Sequence, residues 1–239
     1  MCGKDYPQAY KDGIVPFYYE NYKITEGVLI PRPDTELLVE TALRYCNALD
    51  NPVGDLLKIK PCISQEQIVL ADLCTGTGCV GISTANALVK AGKKCEAYLI
   101  DVADEAVSCC SSNTEECKAS CYVIQEDIMS AGLIFPERID LITSNPPYVT
   151  EEEMNELPLS VRYEPVLALY GGPDGLVFYD RLCRIGIENL KSGGVLAVEH
   201  GYRQQEAVMD IFSRNGYSDV IGLKDFGGNP RVVAGIWRG

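Results

Sequence analysis

"DLCTGTGCVG", residues 72–81, decides how this chain is read. It closes "IVLADLCT" (68–75), a near-continuous apolar run of the kind a strand buried on both faces carries. It opens "VGISTANALVKAG" (80–92), which has the apolar spacing of a helix and stops at Gly92. Gly76, Gly78 and Gly81 between them make a G-x-G-x-x-G turn, in which missing Cβ atoms let the backbone turn tightly and approach a ligand. Strand, glycine turn and helix form the first unit of an open ligand-binding α/β sheet. By itself the pattern is also met in turns that bind nothing.

The alternation continues outward from this unit. "EAYLIDVA" (96–103) predicts a second strand, a helix follows over about 104–118, and "CYVIQEDI" (121–128) and "IDLITSN" (139–145) predict two more strands. A helix from about Asp174 to Leu190, a strand in "GVLAVEHG" (194–201) and a helix in "QQEAVMDIFSRNG" (204–216) come next. "SDVIGLKDF" (218–226) and "RVVAGIWR" (231–238) have no helix between them and predict an antiparallel edge hairpin. The whole implies an α/β fold with a mostly parallel sheet and helices on both faces, over residues 67–239. Residues 1–66 read as an N-terminal extension. It holds a short strand or hairpin arm in "VPFYYENYKI" (15–24) and a helix in "PRPDTELLVETALRYCNAL" (31–49), with Asp34 as its expected N-cap.

Composition sets limits. The 239 residues are 46% hydrophobic and 23% charged, as in an ordinary globular protein, and none of the apolar runs approaches a membrane span. A net charge of −13 with scattered Lys and Arg disfavours direct nucleic-acid binding, which draws on phosphate neutralisation. The eleven cysteines are odd in number, and no apolar signal segment follows Met1, so the expected compartment is the cytoplasm. Cys109, Cys110, Cys117 and Cys121 lack the spacing of paired metal knuckles and read as buried or helix-face residues, so no metal is expected.

Asp101 lies 20 residues beyond Gly81 at the second strand's tip, where a carboxylate accepts both hydroxyls of a ribose. That suits NAD or S-adenosylmethionine. Asp127, at the third strand's tip, stands where an adenine edge would lie in a methyltransferase. The choice comes from "TSNPPYV" (143–149). Proline cannot continue a ladder, so the fourth strand stops at Asn145. Asn145, Pro146, Pro147 and Tyr148 offer no acid or base for hydride chemistry. The Asn145 side-chain oxygen and the Pro146 carbonyl are instead two adjacent acceptors, suited to a planar NH₂ group whose nitrogen is to meet an electrophilic methyl.

The Asn-Pro-Pro-Tyr signature resembles that of class I methyltransferases acting on adenine, guanine or glutamine NH₂ groups. "LIPRPDTELLVETAL" (29–43), "DLCTGTG" (72–78), "SNPPYV" (144–149), "YEPVLALYGGPDGL" (163–176) and "EHGYRQQEAV" (199–208) together resemble the PrmC/HemK family of release factor N(5)-glutamine methyltransferases. The resemblance implies a Rossmann-like seven-stranded sheet, S-adenosylmethionine as donor with S-adenosylhomocysteine as product, and methylation of the glutamine in the Gly-Gly-Gln loop of peptide chain release factors. It assigns the cofactor loop to Cys74, Thr75, Gly76, Thr77 and Gly78, the ribose to Asp101, the adenine surroundings to Asp127 and Ile128, and the methyl end to Asn145. Asn145, Pro146, Pro147 and Tyr148 would grip the substrate amide, with the Tyr148 ring on its flat face. Ribosomal-protein glutamines and nucleic-acid exocyclic amines remain as alternative substrates.

Two departures from the family pattern stand out. Cys74 occupies the place of the usual glycine before Thr75. Only 28 residues precede "LIPRP", so most of the N-terminal helical domain that helps dock the release factor is expected to be missing. Arg162 and Glu164 are read as loop-orienting or surface residues, and His200 as structural.

Overall fold

The computed structural model describes residues 5–130 and 132–239. In chain order the elements are α1 (Gln8–Asp12), β1 (Ile14–Phe17), β2 (Glu20–Lys23), α2 (Glu36–Tyr45), β3 (Gln67–Leu73), α3 (Cys79–Lys90), β4 (Lys94–Asp101), α4 (Asp104–Thr114), β5 (Ser120–Gln125) and β6 (Ile139–Ser144). There follow α5 (Glu151–Glu156), α6 (Val166–Leu169), α7 (Val177–Asn189), β7 (Leu190–Glu199), α8 (Gln205–Arg214), β8 (Ser218–Lys224) and β9 (Pro230–Ile236).

Seven strands form one sheet in the order β5-β4-β3-β6-β7-β9-β8. The first five are mutually parallel, whereas β9 runs antiparallel to both β7 and β8. This is the expected class I methyltransferase sheet with its antiparallel edge. β3 and β6 are central and buried along almost their whole length, which is why their sequences lack polar alternation.

Side chains on successive strand residues point to opposite faces, and the two cores divide accordingly. Ile68, Leu70, Ala97 and Leu99 pack with Leu38 and Ala42 of α2 and Ile82, Ala85 and Leu88 of α3. Val69, Ala71, Tyr98 and Ile100 pack with Tyr179 and Leu182 of α7 and Val208 and Phe212 of α8. The β1–β2 hairpin joins the first core through Val15, Phe17 and Tyr22.

Some local expectations need correction. Asp34 does not cap α2: residues Pro33–Thr35 form a 3-10 turn whose carbonyls receive the Glu36 N–H, and no side chain caps the helix. The proline-fixed turn satisfies the backbone itself and frees the Asp34 carboxylate to pair with Arg231 at 3.2 Å. The helix expected from Asp174 begins at Val177, because Asp174 Oδ1 holds the Leu176 N–H in the preceding turn. α5 and α6 lie inside a stretch read as loop. α5 is closed by a capping box in which Thr150 and Glu153 bond reciprocally.

Candidate active site

The sheet order reverses beside β3, with β4 on one side and β6 on the other. The loops leaving their carboxyl ends diverge there and open a crevice, the usual ligand position in such sheets. A cavity of about 290 Å³ fills it, lined by the loop after β3, the tips of β4 and β5, Asn145 and Pro147 after β6, and residues of the strap 27–35.

The glycine turn is built around a residue that the sequence reading passed over. Asp72 is buried, and its Oδ2 accepts the Thr75 hydroxyl at 2.5 Å and the Gly81 N–H at 3.1 Å, while Oδ1 accepts the Thr143 hydroxyl at 2.7 Å. One carboxylate thus ties β3, the turn, α3 and β6 together. Burial pushes its pKa up to about 6, against the lowering effect of those hydrogen bonds. Gly81 is required for packing: a Cβ there would overlap the Leu99 methyl and stand 2.9 Å from Asp72 Cβ. Cys74 has φ +57°, in the left-handed region that explains a glycine in its place elsewhere.

Asp101 accepts the Gly76 N–H at 2.8 Å through Oδ2 and the Ala103 N–H at 3.1 Å through Oδ1. Burial raises its pKa, and these backbone donors offset part of the rise. Asp127 and Ile128 line the same cavity, with the Asp127 carboxylate held on the Met129 N–H at 2.8 Å. Glu126 also lines it, whereas Arg32, the single base on the wall among the described residues, is ion-paired with Glu164. An acidic wall of this kind suits a ligand carrying ribose hydroxyls and cationic sulfur and ammonium groups. It opposes a pyrophosphate, since the Gly76 and Gly81 N–H groups a phosphate would need are already given to aspartates.

Cys74, Thr75, Gly76, Thr77, Asp101, Asp127, Ile128, Asn145 and Pro147 therefore converge on one cavity. Gly78, Pro146 and Tyr148 do not line it: Gly78, at φ +82°, makes the turn into α3, and Pro146 is buried. Tyr148 is half-buried, and its hydroxyl donates to Glu199 Oε1 at 3.1 Å. Asn145 Nδ2 lies 3.4 Å from Thr35 Oγ1.

The first part of the strap is the larger omission. Arg32 and Thr35 belong to the "PRPDTE" helix start that the family resemblance sets beside the active site, whereas Gly27, Val28 and Leu29 close the cavity from a segment with no strand or helix signal. Glu164, read as a possible surface residue, is 5% exposed; it accepts the Ile30 N–H at 3.0 Å and pairs with Arg32. "PRPD" and "YEP" are thus halves of one partly buried contact 132 residues apart, which no local pattern reports. His200 is buried with its Nδ1 against the Gly201 carbonyl at 2.8 Å. Burial lowers its pKa to about 4, so it stays neutral and structural.

Comparison with known proteins agrees with this arrangement. Residues 56–158 match the Methyltransferase small domain family. A 16S rRNA N2 methyltransferase from Thermus thermophilus, solved in complex with AdoMet and guanosine, superposes on 94% of this chain and 50% of its own with a TM-score of 0.58 and 13% identity, a likeness of fold. Release factor glutamine methyltransferase of Clostridium botulinum is 34% identical over 230 residues, 95% of this chain and 74% of its own. The Escherichia coli enzyme of the same name is 33% identical over 96% of this chain and 75% of its own. With that identity held over nearly its whole length, this chain belongs to the release factor glutamine methyltransferase family.

Proposed function

We propose that this chain transfers a methyl group from S-adenosylmethionine to the side-chain amide nitrogen of the glutamine in the Gly-Gly-Gln loop of peptide chain release factors. The observation that carries the reading is the place of Asn145 on the wall of the same acidic cavity that Asp101, Asp127 and the glycine turn enclose. The net charge of −13 favours a protein over a nucleic-acid substrate. Translation termination in the cytoplasm is the corresponding setting. Among the described residues no helix is long and apolar enough to cross a membrane.

When bound, the cofactor supplies an electrophilic methyl on a sulfonium. Asp101 would take the ribose hydroxyls, Asp127 and Ile128 would meet the adenine edge and face, and Cys74 to Thr77 would follow the remainder with backbone atoms, with Gly78 making the turn behind them. Asn145 Oδ1 and the Pro146 carbonyl each accept one hydrogen of the substrate NH₂, aiming its nitrogen at the methyl. Pro147 shapes the loop, and the Tyr148 ring packs on the amide plane.

A carboxamide nitrogen is a weak nucleophile because its lone pair is delocalised. Orientation carries the reaction, and near-attack positioning supplies up to about 7–11 kcal/mol. No base is required before attack: the two acceptors stabilise the positive charge that develops on nitrogen, S-adenosylhomocysteine would leave with the carbon–sulfur bonding pair, and the extra proton passes from the methylated nitrogen to water afterwards. Incubation with S-adenosylmethionine and unmethylated release factor, followed by peptide mass spectrometry across the Gly-Gly-Gln loop, is expected to show one added methyl. A release factor left unmethylated by a chain with measured cofactor binding would overturn this substrate assignment.

A further inference from the structure

Behind the cavity wall, the last residue of β7 carries a buried carboxylate with half its capacity unused. Glu199 is 1% exposed; Oε1 accepts the Tyr148 hydroxyl, and Oε2 has no hydrogen-bond partner. A buried acceptor left unpaired costs stability and calls for an explanation. Its surroundings supply one. The Thr35 side chain and Asp34 approach from the turn before α2, Tyr148 from the loop after β6 and Arg231 from β9. Tyr179 of α7 donates to the Glu199 backbone carbonyl at 3.1 Å. His200, next in the chain, is neutral.

Thr35 has one hydroxyl proton, and Asn145 Nδ2 is 3.4 Å from its oxygen. A side-chain amide has a donor end and an acceptor end, and its neighbours decide which one faces a ligand. A hydroxyl that gives its proton to a carboxylate has only lone pairs left to offer. We propose that Glu199 is a positioning residue for methyl transfer: the nearby Thr35 hydroxyl turns its proton to the open Oε2, which leaves Thr35 Oγ1 an acceptor that holds Asn145 Nδ2 and turns Asn145 Oδ1 toward the substrate NH₂. Its other oxygen anchors Tyr148 at the same time.

The inference rests on the reading of Asn145 as an acceptor for an NH₂ substrate. A protonated Glu199 could instead donate to Thr35; Thr35 would then donate to Asn145 Oδ1, and the amide would present its own NH₂ to the substrate NH₂, donor against donor. Burial pushes the Glu199 pKa up to about 7, so the charged form holds on the alkaline side.

The test compares the whole chain with Glu199→Gln, Thr35→Val, Thr35→Ser and the Glu199→Gln/Thr35→Val double variant. Gln can accept from only one of the two hydroxyls. Each of Glu199→Gln and Thr35→Val is expected to lose about 10- to 100-fold in kcat with KM for S-adenosylmethionine within about twofold. The double variant should lose no more than the worse single one, because both break one relay. Thr35→Ser should recover most of the rate lost in Thr35→Val. Wild-type kcat should fall below about pH 7, and Glu199→Gln should lack that limb. Full kcat in Glu199→Gln, or losses that multiply in the double variant, would overturn the proposal.

A second readout needs no substrate. The Asn145 side-chain amide signal in ¹H–¹⁵N NMR, assigned by its absence in Asn145→Ala, should move with pH in the wild type and stay fixed in Glu199→Gln. A signal unmoved in both overturns the relay whatever the substrate is. A titrating signal without release factor methylation places the failure in the substrate reading.

Discussion

Gly81→Ala sets two physical effects of opposite sign against each other. Gly81 lies in the first turn of α3 without a positive φ, so helix propensity alone favours alanine by about 1 kcal/mol. The added Cβ would overlap the Leu99 methyl and stand 2.9 Å from Asp72 Cβ. Leu99 has no exposed surface on the second strand of the core, and Asp72 Cβ is attached to the central strand, so neither contact has room to retreat. Overpacking at such a site costs about 3 kcal/mol, the upper part of the usual range. The net is a loss of roughly 2 kcal/mol, or a fall in Tm of about 4–8 °C for a chain of this size. Displacing Asp72 also disturbs its bonds to Thr75 and the Gly81 N–H, so S-adenosylhomocysteine affinity should fall with the stability. Differential scanning calorimetry and titration calorimetry on the same preparation measure both. A Tm equal to or above that of the wild type would show that the β3–α3 contact relaxes freely, and would refute the packing argument.

Other outcomes follow from the same geometry. Asn145→Ala should lower the rate of methyl transfer by about 100-fold or more while cofactor affinity changes far less, which single-turnover and equilibrium binding experiments separate. Cys74→Gly removes about 1–2 kcal/mol of left-handed strain but restores about 0.5–1 kcal/mol of unfolded-chain entropy, so Tm should hold or rise slightly, and a drop of several degrees would mean that thiol packing dominates. The pH dependence of stability has a definite sign. The Glu199 pKa lies near 7 in the folded chain, above its unfolded value, so between about pH 4 and pH 7 the folded state binds the extra proton. Its contribution is fully present below the unfolded pKa and is lost as pH rises through the folded one. Wild-type Tm should therefore decline relative to Glu199→Gln over that interval, and parallel melting curves would contradict the burial assigned to this carboxylate.

The sequence by itself determined the sheet and the order of its elements. A buried strand such as 67–73 needs apolar residues on both faces, and the glycine turn and the Asn-Pro-Pro-Tyr stop are dictated by backbone dihedrals, so these signals are local. Cys74 to Gly78, Asp101, Asp127 and Asn145 could be read as strand-tip residues for the same reason, because parallel strands place all their tips at one end. What only the tertiary structure decided is the set of groups reached across the chain. Asp72 looked like one polar residue in an apolar run until Thr75, Gly81 and Thr143 met on it. Thr35, Tyr148 and Glu199 come from three segments and carry no shared periodicity, yet they stand behind Asn145. The Arg32–Glu164 pair that closes the strap spans 132 residues. Such contacts are set by how the sheet brings segments together, since a carboxylate is buried only where distant donors compensate its lost hydration.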